Sequence, residues 1–504
     1  MFARFKHLMR SSPQVILVLL AGLLVVVANW SGVSWSWDST DYVAAGRSIA
    51  KLKGSLDVSG LAMTVRPPGY PALIALGEVV GLPTNITLLT INVGSAAISA
   101  LCVFTIVSHV ASVKTAIFAA TFTALTPTML WQTSMAWSEP PFIAMLLVTM
   151  LVALRFTGRL RFFALGALYV SLFFLRFVGP VFIAPIALIA VVVDSRTRGW
   201  LRSFALHTGT VLAAALPMAW WLARNHRIDG TLTGARVPGG GSFWETVTHA
   251  VGTYGTFLTA QPFDSVIYER VTNYPFAAQV AGVLVLVSLG AAAVQLIMVA
   301  GHRPFLFSTR DLVMATNLML IISYTAFSAY RFVHFELGRL DTRMMVPMLP
   351  PIVIVAALQI DGLVRRWSSV AKIAMTCVVV VTMAHGAISV KDAVQFGSNQ
   401  RHLSGAVSRN LDLHKFVRTL EDDSALYSNA PQMLFPVADT WPIYTPWQVD
   451  QPWPTPCTHR YAVYYNDFQV QDNRPTIAPI IYEDPIGTVY DVGLCSEDIN
   501  AAWD

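Results

Sequence analysis

Long apolar stretches alternate with short basic ones along most of this chain. Residues 14–29 read QVILVLLAGLLVVVAN, and comparable runs cover 276–300, 312–330, 344–359 and 370–388. Each run approaches or exceeds the roughly 20 residues that a helix needs to cross a bilayer. The pattern therefore predicts a polytopic α-helical membrane protein.

Counting the apolar segments predicts about 11 transmembrane helices. They are expected near residues 14–30, 85–108, 115–131, 140–156, 162–176, 178–193, 203–222, 276–300, 312–330, 344–360 and 370–388. The loops that this count assigns to the cytoplasm all carry Lys or Arg, as the positive-inside rule requires. These residues are Lys114, Arg155, Arg159, Arg161, Arg196, Arg198, Arg202, Arg303, Arg310, Arg365 and Arg366. We therefore expect a multi-pass protein of the cell membrane with a cytoplasmic N-terminus.

The same count predicts two domains. Residues 1–388 form the transmembrane domain, with extracytoplasmic loops at 31–84, 132–139, 223–275 and 331–343. Residues 389–504 form a small C-terminal extracytoplasmic α/β domain, because short alternating stretches such as YAVYY and GTVYDVG are typical of strands. Cys457 and Cys495 lie in this domain and can pair if it is extracytoplasmic. The loop 223–275 contains three consecutive glycines, which fit either a lid hinge or a plain connector.

Composition and charge narrow the possible functions. The chain has 504 residues, of which 55% are hydrophobic and 12% are charged, against about 25% charged residues in soluble domains. Its net charge of +5 comes mostly from the loop lysines and arginines. No basic run is interleaved with aromatic residues, so nucleic acid is not an expected partner.

Arginines on the predicted outer side are the first candidates for chemistry. They are Arg66, Arg176, Arg224, Arg331, Arg339 and Arg343. Each of them either anchors lipid headgroups or lines a polar site. Arg176 lies within SLFFLRFVGP at the end of a predicted span, and a charge at that depth needs a partner or a water-filled cavity.

Arg66 begins the run RPPGY, which restricts its backbone. The following proline holds Arg66 in an extended conformation, and Pro68 or Pro71 suits the first turn of a helix. A guanidinium held at that point is well suited to binding a phosphate at headgroup depth. The alternative is a proline-capped turn whose arginine contacts lipid phosphate.

Three acidic residues lie on the same predicted side. Asp38 precedes a segment of helical spacing, where it either caps the helix by accepting a bond from the amide of Asp41 or acts as an ionised base. Glu139, in MAWSEPPF, is either a cap before Pro140 or a second acid in the same cavity. Either Asp38 or Asp41 fits the role of base.

Taken in order, these motifs resemble GT-C glycosyltransferases, and most nearly their bacterial protein-mannosyltransferase-like and aminoarabinose-transferase-like members. The matching stretches are Asp38-Ser39-Thr40-Asp41-Tyr42, Arg66-Pro67-Pro68-Gly69-Tyr70-Pro71, Ser138-Glu139, Arg176 in LRFVGP, Asp341-Thr342-Arg343-Met344-Met345-Val346-Pro347 and Tyr427-Ser428-Asn429-Ala430-Pro431. The chain departs from the family at Ser39, where many members have a second acid, at Val65, where aminoarabinose transferases have a zinc-binding Glu, and at Met344, where an aromatic is common.

The resemblance implies transfer of a sugar, with inversion, from a polyprenyl-phosphate donor to a hydroxyl of an envelope glycan, lipid or protein. It implies that Asp38, Asp41 and Glu139 are catalytic, and that Arg66, Arg176, Arg343 and Tyr70 bind the donor phosphate. No cofactor is expected. A divalent metal is possible through Asp38, Asp41 and Glu139 but is not favoured, and the outer residues His226, His249 and His334 lack metal-ligand spacing.

Two other classes of function fit a chain with many spans. A transporter or lipid flippase is the main alternative, but we find no inverted repeat, and the charges cluster at one face of the membrane. A membrane scaffold whose tail binds a partner leaves Asp38, Arg66 and Arg176 without a role. The sequence therefore favours the glycosyltransferase.

Overall fold

The computed structural model describes most of the transmembrane part and much of the tail. The described residues are 13–234, 242–259, 275–302, 307–335, 342–366, 383, 386–395, 397–398, 403, 405, 408, 410–420, 424–438, 443–444, 459–466, 474 and 478–494. Several predictions fall outside these residues: most of the span at 370–388, the cysteines Cys457 and Cys495, the three consecutive glycines, and Arg303, Arg339 and Asp341.

In the described part of the chain, six helices are long and apolar enough to cross a membrane. They are Thr84–Ser108, Gly179–Arg198, Trp200–Asp229, Gly282–Ala300, Thr309–His334 and Thr342–Arg366. Shorter apolar helices cover Pro13–Ala28 and Leu160–Leu175, and Glu139–Arg155 is a helix of 17 residues. The chain is thus a polytopic membrane protein, while the count of about 11 spans stays a prediction.

In chain order the helices are numbered as follows. They are α1 Pro13–Ala28, α2 Trp37–Ala50, α3 Gly69–Val79, α4 Thr84–Ser108, α5 Val113–Leu125, α6 Pro127–Ser134, α7 Glu139–Arg155, α8 Leu160–Leu175, α9 Gly179–Arg198, α10 Trp200–Asp229, α11 Phe243–Thr259, α12 Pro275–His302, α13 Thr309–His334, α14 Thr342–Met345, α15 Leu349–Arg366, α16 Asp412–Val417 and α17 Pro431–Ala438. A 3-10 turn, Val346–Met348, joins α14 to α15.

The span expected at 115–131 is broken into two helices. Helices α5 and α6 meet at Thr126 with a bend of 51°. The cause is Pro127, because a proline pushes the preceding residue into an extended conformation, and Thr126 has φ −61° and ψ 132°. As a result, α6 ends only a few residues before Trp137 and Glu139.

The chain divides into two compact units. The membrane unit comprises residues 1–30, 64–70 and 89–396, and the tail unit comprises residues 31–63, 71–88 and 397–504. In the membrane unit, 78% of the residues in the most apolar stretch of Thr342–Arg366 are buried, against 11% of those in Gly282–Ala300. The former is therefore an interior helix, and the latter presents most of its surface outward.

The tail unit contains a five-stranded mixed sheet. Its strands are β1 Ala425–Ser428, β2 Ile443–Tyr444, β3 His459–Tyr465, β4 Ile480–Glu483 and β5 Gly487–Leu494. Their order is β2-β1-β3-β5-β4, with β1 parallel to β2 and β3, and β5 antiparallel to β3 and β4. Side chains from α16, α17 and the central strands form its core, so the alternating stretches seen in the sequence do form strands.

The first loop of the chain packs against this sheet domain inside the tail unit. Helix α2 contacts α17, and the Arg47 guanidinium lies 5.6 Å from the centre of the Phe435 ring. In the other long loop, residues 243–259 form helix α11.

Candidate active site

A fully buried carboxylate lies at the centre of the candidate site. Glu139 is the first residue of α7, and its side chain has no exposed surface. Its Oε1 accepts from Arg176 Nη1 at 2.6 Å and from Arg343 Nε at 3.0 Å. The structure thus brings together three residues that span 204 positions of the sequence, from Glu139 to Arg343.

Arg176 reaches this carboxylate because α8 stops just before it. The backbone of Arg176 is extended, at φ −152° and ψ 135°, while its amide still donates to Leu172 O of the last helical turn. Its Nη1 also lies 3.3 Å from Ser138 Oγ. Arg176, the one charged residue in the apolar stretch SLFFLRFVGP, therefore has a buried ion-pair partner.

Arg343 is held from two sides. It lies in the short helix α14, where the Tyr324 hydroxyl donates to the carbonyl of the next residue, Met344. The guanidinium carbon lies 3.9 Å from the centre of the Trp137 ring, which is a cation–π contact. The guanidinium is therefore fixed by a carboxylate and by an aromatic face at once.

Trp137, Ser138 and Tyr324 are the site residues that sequence reasoning did not assign. Trp137 and Ser138 directly precede Glu139, and Trp137 is itself buried against Trp131, with ring centres 5.0 Å apart. Their position next to the acid in MAWSEPPF was the available signal. Tyr324 gave none, because it is one apolar position among many in a long span.

The RPPGY run lies against the helix that ends at Arg176. Gly69 packs so closely on the backbone of Phe174 that any side chain at this position would collide with it. Tyr70 is fully buried and Arg66 is half-buried. Thr64, just upstream, accepts from the buried Asn225 amide at 3.2 Å. The run is thus fixed within the membrane unit, against the C-terminal end of α8, which Arg176 follows in an extended conformation.

Asp38 and Asp41 lie on α2, which belongs to the tail unit. Asp38 occupies the first turn of that helix and Asp41 is buried, with 7% of its surface exposed. The N-cap position belongs to Ser36, whose amide donates to Ser39 Oγ at 2.9 Å. Ser39, the departure from the family pattern, is therefore the third helical residue of a capping box with Ser36, and Asp38 is not the N-cap residue.

The charges at Glu139 favour an anion. Two guanidinium groups surround one carboxylate, which leaves one net positive charge among these three side chains. The two arginine side chains keep 15% and 18% of their surface exposed, whereas the carboxylate keeps none. The two arginines are therefore partly accessible from outside, and the carboxylate that pairs with both of them is not.

A divalent metal does not fit at Glu139, because two positively charged guanidinium groups already lie on this carboxylate, both bonded to its Oε1. Within the residues that the structure describes, no three His, Cys, Asp or Glu side chains form a group able to hold a metal ion.

Searches with the sequence match no protein-family model and no curated protein. Among solved structures, the chain is similar to ArnT from Cupriavidus metallidurans bound to undecaprenyl phosphate, with a TM-score of 0.57, 12% identity, and coverage of 94% of this chain and 97% of that one. It is also similar to ArnT from the same organism in the apo state, with a TM-score of 0.51, 12% identity, and coverage of 96% and 98%. The GT-C fold expected from the motifs is therefore confirmed.

Proposed function

We propose that this protein is an inverting glycosyltransferase that moves a sugar from a polyprenyl-phosphate donor to an acceptor hydroxyl on the extracytoplasmic side of the membrane. The observation that carries the proposal is the pair of guanidinium groups on Glu139, in a fold shared with a protein solved with undecaprenyl phosphate. Together with Glu139, these two fixed guanidinium groups carry one net positive charge. That charge suits a lipid phosphate, because charge-assisted bonds to phosphate are strong.

In this proposal the arginines carry the leaving group. The bond between the anomeric carbon and the phosphate oxygen breaks, and its electron pair stays on the polyprenyl phosphate. Arg176 and Arg343 stabilise that growing charge. Arg66, in the neighbouring RPPGY run, also binds the donor phosphate in this proposal. Electrostatic stabilisation of this kind, by preorganised groups, is commonly the largest contribution to catalysis. Tyr70 has a packing role beside them, because it is fully buried.

The acceptor hydroxyl forms the new bond to the anomeric carbon and passes its proton to a carboxylate. Asp38 or Asp41 is the proposed base, since a general base must be ionised at working pH. Glu139 is a poor choice, because its side chain has no exposed surface and its Oε1 already accepts from two guanidinium groups. We therefore propose Glu139 as a positioning residue.

The experiment uses the purified full-length protein in nanodiscs, with a panel of polyprenyl-phosphate sugars and envelope glycans, and measures transferred sugar by mass spectrometry. Product formation supports the proposal and separates it from a flippase, which moves intact lipid. Asp38→Asn or Asp41→Asn should lower turnover about 100-fold or more, while Arg176→Lys should lower turnover and also weaken donor binding. Normal turnover in both Asp variants would reject the assignment of the base.

A further inference from the structure

The end of helix α2 carries an unusual leucine. Leu52 follows the helix with φ 59°, and it is the one residue other than glycine with positive φ in the described part of the chain. Its amide donates to Ile49 O, and the amide of Lys53 donates to Ser48 O. Glycine is the usual residue at this position, because a bulky side chain is strained there.

The Leu52 side chain gains nothing from the protein's own core. It is 95% exposed, so burial within the folded chain does not offset the strain of its backbone conformation. The residues on both sides of it are the exposed lysines Lys51 and Lys53. Neither lysine has an ion-pair partner among the residues that the structure describes.

Further exposed apolar residues lie close by in the same unit. Helix α3 ends near the end of α2, because Arg47 Nε is 3.9 Å from Glu78 Oε1. Around that end, Leu76, Val79, Val80 and Leu82 are 66%, 69%, 70% and 41% exposed. We call Lys51, Leu52, Lys53, Leu76, Val79, Val80 and Leu82 the basic-apolar patch.

Acidic groups beside the patch are engaged internally. Glu78 Oε1 accepts from Thr84 Oγ1 at 2.7 Å, and Asp57 Oδ1 accepts from the amides of Ser59 and Leu61 at 2.9 and 3.0 Å. The patch therefore presents apolar side chains and positive charge, and its neighbouring carboxylates are held by their own loops.

We infer that the basic-apolar patch docks on the anionic headgroup layer of the bilayer. Leu82 lies two residues before α4, a 25-residue helix that is long and apolar enough to cross a membrane, so along the chain the patch leads directly into a candidate span. The two lysines complement anionic lipid, and each lysine near such a surface strengthens binding about fivefold. Leu52 enters the interface as an apolar anchor. This inference is independent of the sugar chemistry, and its test requires no activity.

To test it, an environment-sensitive fluorescent amino acid is placed at position 80 of the full-length protein. The protein is reconstituted in nanodiscs of phosphatidylcholine, with or without phosphatidylglycerol, and quenching by spin-labelled lipid is measured. We expect at least about twofold quenching, since an interfacial segment lies roughly 5–10 Å deep. We also expect the quenching to increase with anionic lipid and to weaken at high salt.

Two variants separate docking from folding. Leu52→Gly relieves the backbone strain, so thermal stability should be unchanged or higher while the quenching falls. Lys51→Gln combined with Lys53→Gln should abolish the dependence on anionic lipid. A probe that is not quenched in either lipid would overturn the inference, as would quenching that ignores both sets of substitutions. Crosslinking of the patch to a second protein chain in place of lipid quenching would likewise overturn it.

Discussion

Replacing Glu139 by Gln distinguishes a carboxylate that positions arginines from one that transfers protons. Glutamine keeps an oxygen in the same place, so the acceptor for Arg176 Nη1 and Arg343 Nε is retained while the negative charge is lost. The two guanidinium groups then face each other across a neutral side chain that has no exposed surface of its own in the wild type. We expect both stability and turnover to fall.

The size of the effect follows from the two bonds. Both bonds keep an ionised guanidinium donor, but each loses the attraction of the carboxylate charge. Removing one partner of a buried pair costs about 3–5 kcal/mol in measured cases. The arginines are 15% and 18% exposed, so we expect about 3 kcal/mol. Displacing them by about 1 Å should lower turnover roughly 100-fold.

The assay pairs thermal stability of the detergent-solubilised protein with sugar transfer. Glu78→Gln is the matched control, because the side chains of Glu78 and Arg47 are 25% and 27% exposed and 3.9 Å apart, and such pairs contribute about 1 kcal/mol or less. Adding Arg343→Gln to Glu139→Gln should restore part of the stability, since it removes the excess charge. If Glu139→Gln abolishes transfer at full stability, the positioning role is wrong and Glu139 acts on the substrate.

Three further predictions concern other parts of the molecule. In the tail unit, burial lowers the pKa of His414 below its ordinary 6.5, so the unfolded chain binds the proton more readily than the folded one. Local stability should therefore be complete above about pH 7 and fall as the pH drops through 6.5. Hydrogen exchange of the β3 amides measures this trend, and His414→Gln should remove it. Asn429→Ala removes two bonds to the Tyr465 backbone, at 3.0 and 2.9 Å, and should weaken the same amides by about 1–3 kcal/mol, whereas unchanged exchange would show that the sheet does not need this turn. Asp194→Asn leaves Arg161, which has no exposed surface, without its 2.5 Å ion pair; it should lower stability by about 3–5 kcal/mol, and an unchanged melting temperature would contradict this.

Sequence reasoning predicted the helices well because bilayer crossing imposes a length and an apolar composition on each one. The segment expected at 85–108 is observed as Thr84–Ser108, and that expected at 178–193 as Gly179–Arg198. The break at Thr126–Pro127 was missed, since mean hydropathy does not register one proline. Its physical signal, a residue forced into extended backbone before proline, was nevertheless present in the sequence.

The site could be predicted only in part. Charge in the wrong place pointed to Arg176, Arg343 and Glu139, because the membrane makes unpaired charges costly. Their mutual pairing was not predictable, since it depends on how α7, α8 and α14 pack together. The role of Ser39 was also not predictable. Ser39 belongs to a capping box only because Ser36 is the N-cap residue, and the sequence alone does not fix where the helix begins.

The arginine–carboxylate clusters of the membrane unit show why Glu139 stands apart. Asp194 pairs with Arg161, which has no exposed surface, and with His207 at 2.8 Å, so that cluster is sealed between helices. Asp361 pairs with Arg310 and Arg365, which lie where the positive-inside rule expects cations. Arg176 and Arg343, which pair with Glu139, differ from both clusters. They are 15% and 18% exposed, and they lie on the predicted outer side, where the positive-inside rule does not expect cations. The proposed binding of a lipid phosphate requires accessible positive charge of this kind, which the sealed Asp194 cluster does not offer.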